Sequence, residues 1–159
     1  MRIVILFFIL LLPAQVFAWP AQIISVHDGD SLHVVKSSTG EKVKIRVFGV
    51  DCPEIGQPFG DQARDLTRSI VEGHQIEVVP TGQRQSYGRE VAGIVVPDKL
   101  IVLQAALVSA GLAWVDGRYC KSAVCDQWRV YQEDAKAARR GMWQDDNPVP
   151  PWTWRRMKK

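Results

Sequence analysis

The chain has 159 residues, 47% of them apolar, and a formal charge of +3. That length suits one domain with its own core. Setting aside Arg2 and the four terminal cations Arg155, Arg156, Lys158 and Lys159 leaves residues 19–154 at −2, which excludes a surface that grips nucleic acid by bulk positive charge.

Arg2, an unbroken apolar run over 3–12 and the small-residue site Val16-Phe17-Ala18 read as a secretory signal peptide over 1–18. Cleavage near Ala18 would leave Trp19 first, in an exported protein, periplasmic or secreted. The run is too short for the roughly twenty residues that span a bilayer, so no stable membrane span is expected in the mature chain. The alternative is an uncleaved anchor.

Next come a short apolar strand over 21–26, the turn His27-Asp28-Gly29-Asp30, a second strand over 31–35, the hairpin loop Ser37-Ser38-Thr39-Gly40 and a third strand over 43–50. Together they predict a three-stranded meander. The third strand runs into Arg46-Val47-Phe48-Gly49-Val50-Asp51-Cys52-Pro53-Glu54. Pro53 cannot continue a ladder, so the strand should stop at Cys52. Arg46 and Asp51 would lie on opposite faces of an ideal strand. A bulge or turn at Gly49 has to bring them together.

The loop over 55–60 forms the lip of any site at Glu54. Phe59, Ala63, Leu66 and Ile70 then mark a helix that Gly60 or Asp61 can cap and Gly73 stops. A fourth strand spans 75–79 and a polar connector 81–88. Arg89 opens a fifth strand over 91–96. A short buried helix covers 103–109 and ends at Gly111, and a last extended piece covers 112–115. Val124, Trp128, Tyr131, Ala135, Ala138 and Met142 give a final helix whose stripe reads as core, with Arg139 and Arg140 in its last turn and Gly141 as its C′ residue. Five short strands with interspersed helices suggest a small Greek-key barrel, mainly β in an α+β arrangement. The folded domain is placed at 19–147. The tail over 148–159, rich in Pro, Trp and basic residues, either frays or touches nucleic acid or an anionic surface.

Cys120 and Cys125 lie five apart in a loop-like stretch. In an oxidising compartment they are expected to form a disulfide. The alternatives are two unpaired thiols or half a zinc site, though no further Cys or His lies near enough to complete one. Cys52 is expected buried and reduced. His27, His33 and His74 are too scattered for a metal site.

Carboxylates at two strand ends (Asp30 in one; Asp51 and Glu54 in the other) and two isolated arginines, Arg46 and Arg89, are the parts of a metal-assisted phosphodiesterase. The acids hold a hard cation and position water. The arginines hold a phosphate, since a guanidinium fork matches its oxygens. Asp28 would support Asp30 from behind. Each residue also has a plainer reading: turn formers for the aspartates, a loop acid for Glu54, strand arginines paired to neighbouring acids.

The chain resembles the staphylococcal nuclease family. The resemblance rests on Asp28-Gly29-Asp30-Ser31, the run from Arg46 to Glu54, Tyr87-Gly88-Arg89 and Ala106-Leu107-Val108-Ser109-Ala110-Gly111-Leu112-Ala113, in the family's order over about residues 21–147. It implies the OB-fold form of the barrel, five-stranded and flanked by three helices. It also implies calcium-dependent hydrolysis of DNA and RNA, single strands preferred, leaving 3′-phosphates. By the same resemblance Asp30, Asp51 and the main-chain carbonyl of Cys52 are calcium ligands, and Arg46, Glu54 and Arg89 are catalytic. Tyr87 and Tyr119 either stack on bases or pack in the core. The chain departs from the family in two places. Cys52 stands where threonine is frequent, and the loop over 55–61 lacks the family's lysines, which implies a weaker hold on long polymers. A monomer is expected. The rival reading is a non-catalytic OB-fold module that binds oligonucleotides or oligosaccharides.

Overall fold

The computed structural model describes residues 17–82 and 87–158. The signal peptide expected over 1–18 lies outside the described residues except for its last two, as does the middle of the connector.

Strands β1 (Trp19–Asp28), β2 (Ser31–Lys36) and β3 (Lys42–Val47) form the antiparallel meander. A two-residue strand β4 (Val50–Asp51) and helix α1 (Gly60–Val71) follow. Next come β5 (Gln75–Pro80), β6 (Glu90–Val96), β7 (Ile101–Val102) and α2 (Leu103–Ser109). The chain ends with β8 (Trp114–Val115), α3 (Ala123–Ala137) and α4 (Pro151–Met157). The main sheet runs β3-β2-β1-β5-β6-β7, and an additional parallel pairing of β3 with β6 closes five strands into a barrel. This is the OB-type architecture.

Period-2 alternation explains why the sheet curls around one core. Leu32 and Val34 face in while His33 faces out. Ile45 and Val47, Ile76 and Val78, and Ala92, Ile94 and Val96 do the same on their strands. Helix α1 covers the barrel with Ala63, Thr67 and Ile70, and α2 with Leu103 and Leu107. Each fully buried Leu or Ile contributes about 1.5–3 kcal/mol.

Four expectations need correction. The third strand does not run to Cys52. It stops at Val47, turns through Phe48 and Gly49, and resumes as β4, which pairs with β8 rather than with the main sheet. Helix α1 is not capped by Gly60 or Asp61. Phe59, in the left-handed region at φ 69°, precedes it without a side-chain cap. The stripe on α3 holds at Trp128 and Ala135, both buried, but Cys125 is buried where Val124 is 46% exposed, and Ala138 is exposed. The helix also ends at Ala137, so Met142 sits in a following 3₁₀ turn, where its N–H donates to the Gly111 carbonyl at 2.9 Å. Lastly, there is a fourth helix. The tail is folded, with Pro151 at the first helical position, where a missing N–H costs nothing. Among the described residues, no helix is long and apolar enough to cross a membrane.

Candidate active site

The turn between β1 and β2 fixes the first acid. Asp28 Oδ1 accepts the Asp30 N–H at 3.0 Å. The buried Thr67 hydroxyl of α1 donates to the Gly29 carbonyl at 2.7 Å, tying the turn to the helix. Gly29 lies so close to Cys52 that an added Cβ would sit 2.7 Å from the Cys52 Sγ. This contact lets the turn reach the end of β4. Asp30 is buried; its Oδ2 accepts the Cys52 N–H at 2.6 Å, and its Oδ1 accepts from the Ser31 hydroxyl and from Arg46 Nη1.

Gly49 supplies the turn that the strand needs. Its φ of +75° is costly for a residue with a Cβ, and there the chain leaves β3. Arg46 Nη2 consequently lies 2.7 Å from Asp51 Oδ1 and 3.3 Å from the Val50 carbonyl oxygen. The Asp51 side chain is 1% exposed, so its charge needs partners. Beyond Pro53 the chain folds back: the Glu54 carbonyl accepts the Gln57 N–H, and the Glu54 N–H donates to Gln57 Oε1 at 3.1 Å. Glu54 is half-buried at the rim.

Barrel closure brings in the remaining arginine. The pairing of β3 with β6 sets Arg46 opposite Val91, and Arg89 Nη1 donates to the Ser31 hydroxyl at 3.2 Å. Arg89, Ser31, Asp30, Arg46 and Asp51 thus form one hydrogen-bonded chain. Tyr87 and Tyr119 are 97% and 60% exposed, so neither packs in the core. Tyr119 neighbours Arg118, whose Nη2 lies 3.9 Å from Asp51 Oδ2.

Three participants were not legible as site residues. Arg155, on α4, places Nη1 3.1 Å from Asp51 Oδ1 and Nη2 2.7 Å from Asp51 Oδ2, and donates to Glu54 Oε1 at 2.5 Å. These hydrogen bonds, Asp51 first, hold its guanidinium above its ordinary range. Arg118 and Asp116 pair at 2.6 Å. Burial alone would raise the Asp116 carboxyl, but the hydrogen bonds from Arg118 outweigh it and hold the acid below its usual range. No spacing in the sequence ties residue 155 to residue 51. The only signal was Pro150-Pro151, which marks a helix start.

Asp30, Asp51, Glu54 and the Cys52 carbonyl are hard oxygen donors of the kind a divalent cation such as calcium takes. Their chemistry fits such an ion. In this arrangement guanidinium groups are interleaved with the acids, Arg46 between Asp30 and Asp51 and Arg155 between Asp51 and Glu54. Among the described residues, no three His, Cys, Asp or Glu side chains form a metal-binding group. The Cys52 thiol is buried, and burial pushes its pKa well up, so it stays neutral and packs as an apolar group. Cys120 and Cys125 are disulfide-bonded. His27 and His33 are exposed, and His74 pairs with Asp98 on the surface.

The model of the staphylococcal nuclease homologue family matches residues 44–145, the span that carries Arg46, Asp51, Glu54 and Arg89. An endonuclease of Escherichia coli O157:H7, itself uncharacterized, is 36% identical over 150 residues, covering 90% of this chain and 94% of that protein. A micrococcal nuclease of Shigella flexneri is 28% identical over 145 residues, 87% of this chain and 81% of its own. The staphylococcal-like nuclease CAN1 of Arabidopsis thaliana is 34% identical over 119 residues, 75% of this chain but 35% of that longer protein. A five-stranded barrel closed by a parallel pair, acids at its mouth and a family match across those same acids lead to one conclusion: this chain belongs to the staphylococcal nuclease family.

Proposed function

We propose that the protein is an exported, calcium-dependent nuclease that hydrolyses phosphodiester bonds of DNA and RNA, prefers single strands and leaves 3′-phosphates. The observation that carries this reading is the hydrogen-bonded chain from Arg89 through Ser31, Asp30 and Arg46 to Asp51, continued to Glu54. Acids and guanidinium groups that are distant in sequence meet at one end of the barrel.

Asp30, Asp51 and the Cys52 main-chain carbonyl would hold the calcium ion. When bound, such an ion supplies positive charge against a phosphate oxygen. Asp28 braces Asp30 through its N–H. Arg46 and Arg89 grip the phosphate, and their hold strengthens as charge builds on the equatorial oxygens in the transition state. Glu54, on the rim, orients the water that attacks phosphorus. The P–O5′ bond breaks, leaving a 3′-phosphate on one fragment and a 5′-hydroxyl on the other. The exposed rings of Tyr87 and Tyr119 lie outside the core and are suited to stacking on unpaired bases.

Export is supported by the apolar leader over 3–12 and by the Cys120–Cys125 disulfide, a bond kept in oxidising compartments. We take the protein to act as a monomer. The test is incubation with heat-denatured DNA in calcium and then in excess chelator. The expected result is degradation to 3′-phosphorylated fragments that stops on chelation. Intact DNA in both conditions would sink the reading, and cutting indifferent to chelator would remove calcium from it.

A further inference from the structure

Helix α4 is seated on the site at several points. Trp152 meets Trp114 edge to face, with ring centroids 5.5 Å apart, and Arg118 stacks over the Trp152 ring at 5.2 Å from its centroid. Ahead of the helix, Gln57 Nε2 donates to the Val149 carbonyl at 2.6 Å. Trp154 lines a crevice with Pro53, Pro58 and Phe59. The tail therefore contacts both β8 and the loop that follows β4, the two segments flanking Asp51. From this seat Arg155 grips both Asp51 oxygens and reaches one oxygen of Glu54.

That contact satisfies the acids as a cation would. Asp51 Oδ1 receives Arg46 and Arg155 together, and Oδ2 receives Arg155. A guanidinium fork bound to a carboxylate in this way occupies the directions from which a metal ion would approach. The Arg155 side chain is 41% exposed while Asp51 is buried, so water reaches the contact from the arginine side. The Trp152 and Val149 contacts do not involve Arg155, so they do not require its side chain to stay on the acids.

We propose that the C-terminal helix is an intramolecular competitor for the divalent cation, with Arg155 holding Asp51 and Glu54 in a closed form that the cation must open. The proposal rests on the calcium-dependent reading above. Cation affinity is reduced by the fraction of molecules that are open. If the closed form outnumbers the open by about ten to one, apparent affinity falls about tenfold.

The experiment is calorimetric titration of the protein with calcium chloride, without nucleic acid. It compares wild type with Arg155→Ala, Arg155→Gln, Trp152→Ala and Arg156→Ala, each checked for native unfolding temperature. Arg156 is the control: it carries the same charge on the same helix but, among the described residues, hydrogen-bonds Thr153 rather than a site acid. The expected result is about tenfold tighter binding in both Arg155 variants, a shift of the same sign in Trp152→Ala, and wild-type affinity in Arg156→Ala. Unchanged or weaker binding in folded Arg155 variants overturns the proposal and leaves the calcium reading intact. Equal tightening in Arg156→Ala also overturns it, because the effect would then be bulk charge. No heat of binding in any variant overturns the proposal together with the calcium reading.

Discussion

Arg46 Nη2 rests 2.7 Å from Asp51 Oδ1 although an unbroken strand would point the two side chains apart. The turn at Gly49 makes the contact possible, and that turn has no room for a side chain. A Cβ there would lie 2.6 Å from Cys120 Sγ, at φ +75°. Gly49→Ala should therefore cost about 2 kcal/mol or more in unfolding free energy, from left-handed strain and overpacking. Turnover should also drop as Arg46 and Asp51 part. Urea unfolding and initial rates on denatured DNA measure the two effects. Wild-type values for both would show that the turn tolerates a side chain.

Glu54 and Arg89 stand at the rim, where their removal leaves the core untouched. Glu54→Ala and Arg89→Ala should each lower kcat at least about a hundredfold, the range found when one transition-state partner is lost, with unfolding midpoints near wild type. A variant that keeps wild-type turnover loses its assigned role.

Cys52 makes stability depend on pH in an unusual direction. Its thiol is buried and its pKa lies well above the ordinary value of 9.0. Below that value both states are protonated and the thiol contributes no slope. Above it the unfolded chain ionises and the folded one does not, so stability falls as pH rises, by about 1.4 kcal/mol per unit. Unfolding free energies between pH 8 and 10.5 should show this fall in wild type and a shallower one in Cys52→Ala. Equal slopes would mean the thiol ionises freely in the fold.

The Cys120–Cys125 bond closes a short loop beside Gly49. Loop-closure entropy gives about 2 kcal/mol for so small a ring. The pair Cys120→Ser and Cys125→Ser should lower unfolding free energy by about that amount, and dithiothreitol should do the same to wild type. A reduced protein as stable as the oxidised one would contradict this.

Features set by neighbouring residues were legible in the sequence. The Asp28-Gly29-Asp30 turn, the need for a break at Gly49 and the helix over 103–109 all follow from local turn chemistry and periodicity, and the structure reproduces them. The disulfide was legible from the spacing of Cys120 and Cys125 together with the export expected from the leader. The first position of the α3 stripe was not. Either Val124 or Cys125 could face inward, and the bond to Cys120 selects Cys125. Arg155 was illegible for a different reason. It reaches Asp51 across 104 positions through packing of Trp152 on Trp114, a tertiary contact with no periodic trace. The count of three helices fell short because the tail's helix is stabilised by docking, not by its own propensity.

The parallel join between β3 and β6 is the long-range pairing that brings the two arginines to one place. Arg46 lies on one side of that seam and Arg89 at the entrance to the other. A collapsed chain whose barrel is still open holds each arginine but not the space they share. No fragment ending before β6 can assemble the pair. On the proposed reading, the two arginines can share one phosphate only where that long-range strand pairing has formed.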